Sequence, residues 1–256
     1  MATASKILTQ ARDLQRRKAR ERREAFVAEG IRTVEALLAS PLRVRALLAS
    51  SALATTPRGA AVHAAALAHG IPVEVVDEAA FASAADTEAP QGVLAIADLP
   101  RHVLGAPPGA GARYLILDGV QDPGNAGTII RSAEAFGATA LFALRGTVDF
   151  ANPKLLRASS GSIFRLPVFR GELSELKLTL YGAAGDAGDA GKLAKDVDWR
   201  GPCAIVIGSE GQGLSEAVRK ATQPVRIPTQ GVESLNAAIA AAVFLYEAAR
   251  QRGEAE

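Results

Sequence analysis

The feature that most constrains the fold is the alternation of short apolar segments with helix-like segments between residues 113 and 250. The apolar segments are RYLILDG, ATALFAL, LTLYGAA, CAIVIG and PVRIP, and the helical ones are 125–136, 153–161, 214–220 and 235–250. Strands that alternate with helices predict an α/β fold with a mostly parallel sheet. In such sheets ligands bind at the carboxyl ends of the strands, where the loops starting at Asp118, Gly208 and Pro228 are expected.

The first 100 residues predict a second, smaller α/β domain. VRALLAS and VEVV are typical of strands, AAVHAAALAHG of a helix, and a helical spacing relates Phe26, Ile31, Val34, Leu37 and Leu38. The proline- and glycine-rich segment DLPRHVLGAPPGAGA then has the composition of a connector. A chain of 256 residues exceeds the usual ~150 residues of one domain. We therefore predict two domains, 1–105 and 106–256.

Composition excludes several functional classes. Hydrophobic residues make up 48% of the chain, but no apolar run approaches the ~20 residues that cross a bilayer, so we expect no membrane span. The start, MATASKILTQAR, lacks the apolar segment of a secretory signal. Cys203 is the single cysteine, which excludes an internal disulfide, and the three histidines form no ligand cluster with it. We expect a cytoplasmic protein without a metal.

A basic segment lies near the amino terminus. Seven basic residues against Asp13 and Glu21 give residues 12–23 a net charge of +5. Such a segment is either an RNA-binding patch or a solvated helix face, because Lys and Arg serve both purposes. The scarcity of interleaved aromatic residues favours contacts with phosphates over contacts with bases. The predicted RNA-binding residues are Arg16, Arg17, Lys18, Arg20, Arg22 and Arg23.

The stretch GSEGQG at 208–213 resembles a nucleotide-binding loop, but its glycines are in the wrong order. The dinucleotide fingerprint requires G-x-G-x-x-G after a strand, whereas this stretch reads G-x-x-G-x-G. A nucleotide-binding oxidoreductase is therefore disfavoured. A simpler interpretation is a strand that ends at Gly208, a turn through Gly211 and Gly213, and a helix that begins near Ser215.

Three loops each follow an apolar strand and combine glycines with polar side chains. Their sequences are DGVQDPGNAGTIIRSAEAFG, IGSEGQGLS and RIPTQGVESLNAAIA. In this order and spacing they resemble the signature motifs of the SpoU, or TrmH, family of RNA ribose 2′-O-methyltransferases within the SPOUT group. The resemblance covers residues 113–250, and KARERREAFVAEGIRTVEALL resembles the opening of the family's substrate-binding domain.

The resemblance implies a methyltransferase that uses S-adenosylmethionine. It also implies a carboxyl-terminal trefoil knot and a homodimer in which two subunits share each active site. The catalytic residues implied are Asn125, Arg131, Glu210, Ser234 and Asn236. The residues implied to hold the cofactor are Gly208, Ile227 and Leu235, largely through main-chain groups, and glycine suits this because it has no Cβ.

The residues leave alternatives open for several of these roles. Asn125, Ser234 and Asn236 are all of types that cap helices, and Asn125 can share an end of its helix with Arg131 only if it lies in the first turn. The family resemblance implies that Arg131 is a base. A guanidinium stays protonated and has no acceptor atom, so our hypothesis is that Arg131 clamps the target phosphate and stabilises the developing alkoxide.

Three functions remain at this point. The favoured one is methylation of a ribose 2′-hydroxyl in 23S ribosomal RNA, with transfer RNA as the alternative substrate. A catalytically silent RNA-binding protein of the same fold is disfavoured, because binding alone does not require all five polar residues. The oxidoreductase is the third. A separate small domain and a basic arm suit a large structured RNA, since they extend the contact with phosphates.

Overall fold

The computed structural model describes residues 6–100, 109, 111–176, 178–184 and 191–254. They form two compact units, one of residues 6–100 with 149–165 and one of residues 109–148 with 166–254. The predicted boundary near residue 105 lies outside the described residues. The first unit includes Asp149–Arg165, a segment that the sequence-based division assigned to the second domain. Within that unit the ring of Phe164 stacks on that of Phe26, with centroids 5.7 Å apart.

Both units contain helices and strands. The helices are α1 (Lys6–Leu14), α2 (Arg17–Arg23), α3 (Ile31–Leu38), α4 (Pro57–Ala68), α5 (Glu78–Ala82), α6 (Pro123–Ala135), α7 (Pro153–Ala158), α8 (Glu216–Ala221) and α9 (Ala237–Gln251). The strands are β1 (Ala25–Glu29), β2 (Val44–Ser50), β3 (Val73–Val76), β4 (Val93–Asp98), β5 (Arg113–Asp118), β6 (Ala140–Ala143), β7 (Val168–Arg170), β8 (Thr179–Ala183), β9 (Lys192–Leu193), β10 (Cys203–Gly208) and β11 (Gln223–Arg226).

The first unit is built on a mixed four-stranded sheet. Its order is β1-β4-β2-β3, with β2 and β3 parallel and the other pairs antiparallel. The prediction that Phe26 belongs to a helix is wrong, because Phe26 lies in β1. All five residues of β1 are buried, so the strand lacks the alternation that would have identified it. Gly30 then turns the chain with a φ of 92°, and α3 begins at Ile31.

The second unit contains the predicted parallel sheet. Its order is β7-β6-β5-β10-β8-β11-β9, and every pair in it is parallel. The two central strands, β5 and β10, are buried along their whole length. They are in register so that Gly208 lies beside Asp118, and this places the first two predicted loops next to each other.

Helix α9 is buried on one side only. The segment SLNAAIAAAVFLYEAAR is apolar around most of the helix, which predicts burial either in the core or against a second subunit. The described structure buries Ala241, Phe244 and Leu245, while Ile239, Val243 and Tyr246 are exposed. The exposed side chains recur at intervals of four and three residues, so they form one stripe.

The described residues contain neither a membrane-spanning helix nor a cluster of metal ligands. None of the helices placed there is long and apolar enough to cross a membrane. Nor does that part of the chain hold a group of three or more His, Cys, Asp or Glu side chains arranged to bind a metal ion.

Candidate active site

The three predicted loops meet at the carboxyl edge of the parallel sheet. The first loop leaves β5 after Asp118 and enters α6, the second leaves β10 after Gly208, and the third leads from β11 to α9. Because all these strands run in the same direction, their carboxyl ends share one edge. The first motif is far from the other two in the sequence, and the sheet brings it to them.

One side chain from each loop takes part in a chain of hydrogen bonds. The amide nitrogen Nδ2 of Asn125 donates to Oε1 of Glu210 at 2.7 Å. The Nδ2 of Asn236 donates to Oδ1 of Asn125 at 3.1 Å. The structure therefore brings together three of the five predicted catalytic residues.

The amino terminus of α9 fixes the direction of this chain. Oδ1 of Asn236 accepts from the backbone N–H groups of Ala238 at 2.9 Å and Ile239 at 3.4 Å, so Asn236 is the N-cap of α9. With its oxygen held by the helix, Asn236 can offer only Nδ2 to Asn125. Asn125 must then accept with Oδ1 and donate with Nδ2. Glu210 consequently receives a hydrogen bond on one of its oxygens.

Asn125 is not the N-cap of its own helix, which corrects one of the alternatives. Asp122 takes that position, and its Oδ1 accepts from the Asn125 backbone nitrogen at 2.7 Å. The helix therefore begins at Pro123, two residues earlier than predicted, because a proline fits the first helical position after an aspartate cap. Freed from capping, the Asn125 side chain points to Glu210 and Asn236.

Beside the hydrogen-bonded chain lies a cleft of about 260 Å³. The three predicted cofactor residues, Gly208, Ile227 and Leu235, all line this cleft, as do the predicted catalytic residues Glu210 and Ser234. Sequence reasoning missed Ser209, Thr229, Glu233 and Phe244, which line it too. The first three lie inside the quoted motifs, but nothing in the sequence indicates that the buried side of α9 brings Phe244 to the cleft.

The glycine at 208 is required by its own loop. A Cβ there would lie 2.2 Å from the carbonyl carbon of Gly213 and 2.5 Å from the Leu214 nitrogen. The backbones of Ser209 and Gly213 exchange two hydrogen bonds, of 3.0 and 2.9 Å, and close the loop. The loop therefore requires a glycine at 208 for its own closure, in addition to the predicted approach of a ligand to the main chain. The turn itself and the start of α8 after Ser215 are confirmed.

A carboxylate supports the far end of the same loop. Asp118 is buried at the end of β5, and its Oδ2 accepts from the Ser215 backbone nitrogen at 2.6 Å. The loop that carries Glu210 is thus held at both ends, by the Ser209–Gly213 pair and by Asp118.

Arg131 is not brought into this group within one chain. It is exposed on α6 and lies outside the lining of the cleft, and its side chain has no hydrogen bond or ion pair among the described residues. Six residues separate it from Asn125, which corresponds to about 9 Å along the helix axis.

The basic segment divides into exposed and buried arginines. Arg20 is 4% exposed, and its guanidinium donates to Oδ2 of Asp149 and to the carbonyls of Leu14 and Gln15. Its donors are used inside the first unit, so Arg20 is not available for the predicted phosphate contact. The other five predicted residues, Arg16, Arg17, Lys18, Arg22 and Arg23, are exposed.

Nearby carboxylates form ion pairs with three of these exposed arginines. Arg17 pairs with Glu21, while Arg22 and Arg23 pair with Asp13. The hydrogen bond from Arg23 is the main reason that the pKa of Asp13 lies below its ordinary value.

Comparison with known families identifies both parts of the chain. The SpoU rRNA Methylase family matches residues 112–246, which is more than half of the chain. The MRM3-like substrate binding domain matches residues 6–95.

Individual relatives match over most of the chain. A protein of Bacillus subtilis named 23S rRNA (guanosine(2553)-2′-O)-methyltransferase RlmP is 34% identical over 239 residues, or 91% of this chain and 92% of its own. A crystal structure of an AdoMet-bound rRNA methyltransferase from Sinorhizobium meliloti is 30% identical, with a TM-score of 0.83 over 98% of this chain and 96% of its own.

The structure of the SpoU methyltransferase AviRb from Streptomyces viridochromogenes, in complex with the cofactor AdoMet, is 29% identical. Its TM-score is 0.84 over 98% of this chain and 100% of its own. These matches confirm the sequence-based interpretation as an RNA methyltransferase that uses S-adenosylmethionine, and they exclude the oxidoreductase. The chain belongs to the SpoU rRNA methylase family.

Proposed function

We propose that this protein transfers a methyl group from S-adenosylmethionine to a ribose 2′-hydroxyl of 23S ribosomal RNA in the cytoplasm. The observation that carries the proposal is the contact of Asn125, Glu210 and Asn236 beside the cleft. The choice of RNA is supported by the name of the Bacillus subtilis relative, whose match extends over both units. Transfer RNA is the alternative substrate.

The cleft has the chemistry that this cofactor requires. Ile227, Leu235 and Phe244 offer apolar surface for an adenine ring, while Glu210 and Glu233 contribute negative charge that suits a sulfonium. The small residues Ala183 and Gly208 leave main-chain groups accessible along the wall. We infer that Gly208, Ile227 and Leu235 hold the cofactor, as the family resemblance implies.

Besides binding the cofactor, the site must activate the ribose 2′-hydroxyl as a nucleophile. S-Adenosylmethionine supplies an activated methyl group on a positively charged sulfur, so the nucleophile is the partner that needs help. Holding the reacting atoms in line contributes roughly 7–11 kcal/mol in well-oriented systems. In our proposal Asn125 and Asn236 orient Glu210, and Glu210 and Ser234 position the nucleotide at the mouth of the cleft.

Arg131 completes the site from a second subunit. Its exposure, its lack of a partner among the described residues and its distance from Asn125 along α6 all support a role outside its own cleft. The exposed stripe of Ile239, Val243 and Tyr246 on α9, a helix that packs against α6, supports a homodimer through this face. There Arg131 clamps the target phosphate and stabilises the alkoxide as it forms.

The proposal includes the trefoil knot of the family. Strand β10 follows β8 and β9 in the chain, yet it lies between β5 and β8, and β11 likewise lies between β8 and β9. The insertion of late strands between earlier ones supports a carboxyl-terminal segment that passes through an earlier loop. Most chains avoid such threading, so this feature rests on the family.

The proposal is tested by methyl transfer and by subunit mixing. With tritiated S-adenosylmethionine we expect ribose methylation of in vitro transcribed 23S rRNA and none of bulk transfer RNA. Binding of S-adenosylhomocysteine should raise the melting temperature, whereas NAD should not. A protein that binds 23S rRNA and S-adenosylhomocysteine without methyl transfer would instead be the catalytically silent form.

Subunit mixing tests the shared site separately. Arg131→Ala and Asn125→Ala should each be inactive alone. After unfolding and refolding together, about a quarter of the sites would combine both native residues in a symmetric dimer. Recovery of activity near that level supports the shared site, and no recovery would assign both residues to a single chain.

A further inference from the structure

The turn that follows β6 is fastened to the first active-site loop. The backbone nitrogen of Leu144 donates to the carbonyl of Leu117 at 3.0 Å, and that of Val148 donates to the carbonyl of Val120 at 3.0 Å. The buried hydroxyl of Thr147 donates to the Leu117 carbonyl at 2.9 Å and accepts from the Gly119 nitrogen at 3.3 Å. These four bonds join the two strand-end turns into one rigid platform.

The tip of this platform presents a cation. Arg145 and Gly146 form the tip, and both are exposed. Gly146 has a φ of 90°, and a Cβ placed on it would lie 3.7 Å from the Cα of Gly119. The Arg145 guanidinium has no hydrogen bond or ion pair in the part of the chain that the structure describes. The backbone of Arg145 is therefore held beside the loop that leads to Asn125, and its side chain is a positive charge that remains available to a ligand.

The edge of the sheet where Arg145 lies also carries negative charge. The same edge of the sheet carries the carboxylates of Asp122, Glu210 and Glu233, each on a loop that follows a parallel strand. Their negative charge opposes the approach of a polyanion. An RNA that reaches this edge needs positive charge to hold its backbone, and Arg145 would add to the charge that Arg131 of the second subunit supplies in the proposed function.

We propose that Arg145 binds a phosphodiester of the substrate RNA next to the methylated nucleotide. This inference rests on the proposed function, since it takes RNA as the ligand of the carboxyl edge. Arg145 is a positioning residue, because it holds the backbone and does not touch the reacting atoms. A phosphate contact of this kind fixes register without reading the base.

The test is the salt dependence of RNA binding by the full chain. The probe is in vitro transcribed 23S rRNA, with dissociation constants measured by filter binding between 50 and 200 mM KCl. Loss of one phosphate contact should make the negative slope of log K against log salt shallower by about 0.7–0.9 and weaken binding about 5- to 10-fold near 0.1 M salt. Arg145→Ala should show both effects, and Arg145→Lys should restore most of the slope, because lysine keeps the charge.

Arg200→Ala is the matched control. Arg200 is an exposed arginine of the same unit that pairs with Asp198, and it precedes β10 at the opposite end of that strand. Arg200→Ala removes the same net charge as Arg145→Ala, so a general electrostatic effect on RNA binding would appear equally in both variants. In the methyl-transfer assay Arg145→Ala should raise the KM for RNA and leave the affinity for S-adenosylhomocysteine unchanged.

The inference and the proposed function fail in different ways. Equal slopes for Arg145→Ala and Arg200→Ala would overturn the role of Arg145, whatever the enzymatic activity. If the wild type bound 23S rRNA without methylating it, the proposed function would fail. The salt dependence of binding would still show whether Arg145 contacts a phosphate. Absence of specific 23S rRNA binding by the wild type would overturn both.

Discussion

Two substitutions of Asn236 separate the two hydrogen-bonding roles of its side chain. Oδ1 accepts from the backbone nitrogens of Ala238 and Ile239, and Nδ2 donates to Oδ1 of Asn125. Asn236→Ala removes both interactions. Asn236→Asp keeps an acceptor for the helix but has no donor for Asn125. The first variant should therefore lose stability and activity, and the second should lose activity alone.

The expected magnitudes follow from the individual bonds. Loss of an N-cap costs about 1 kcal/mol, which lowers the melting temperature of a domain of this size by about 2–4 °C. Aspartate caps a helix as well as asparagine, and its charge favours the amino terminus, so Asn236→Asp should stay within about 0.5 kcal/mol of the wild type. The new carboxylate of Asn236→Asp cannot donate to Oδ1 of Asn125. The Asn125 side chain then loses the hydrogen bond that fixes its orientation, and with it the orientation of Glu210. A loss of about 1.4 kcal/mol in transition-state stabilisation lowers kcat/KM about tenfold.

The assays are thermal unfolding followed by circular dichroism and methyl transfer to 23S rRNA under identical conditions. The affinity for S-adenosylhomocysteine, measured by calorimetry, separates damage to the cleft from loss of orientation. Equal melting temperatures for the two variants would refute the cap as the source of stability. Wild-type kcat/KM in Asn236→Asp would refute the argument that the hydrogen-bonded chain positions Glu210.

Three further predictions address other parts of the molecule. Arg131→Lys should lose most activity without a new pH dependence if Arg131 is a clamp, whereas retained activity with a pH profile shifted to lower pH would show that residue 131 abstracts a proton. Gly208→Ala should lower both the free energy of unfolding, by about 2 kcal/mol or more, and the affinity for S-adenosylhomocysteine, because its Cβ would collide with backbone; unchanged melting would contradict this. Arg20→Ala should destabilise the chain by about 2–3 kcal/mol in urea unfolding, because it leaves Asp149 without its ion-pair partner, and Lys18→Ala, on the exposed side of the same helix, should stay within about 0.5 kcal/mol.

The parallel sheet could be predicted because its strands are apolar runs flanked by polar and glycine-rich loops. RYLILDG and CAIVIG are buried on both faces, so their composition alone identified them. The same principle explains the error at Phe26. Its strand is short, fully buried and followed closely by a helix, so its apolar residue also fitted the helical period.

The candidate site was predicted as a set of residues without its connections. The three motifs indicated Asn125, Glu210 and Asn236 as functional residues, and the family resemblance gave them a common purpose. Their hydrogen bonds depend on strand order, since Gly208 must lie beside Asp118 before Glu210 can reach Asn125. Strand order is a long-range property that local spacing does not encode.

By itself the sequence determined the fold class, the three loops and the family, because apolar periodicity and motif spacing are local properties of the chain. Only the tertiary structure decided which basic residues are free, since Arg20 is neutralised by Asp149, which is distant in the sequence and packs into the same unit. Only the tertiary structure likewise showed that Asn236 caps α9 and points its remaining donor at Asn125. These outcomes depend on which groups compete for each hydrogen bond, and that competition exists only once the chain is packed.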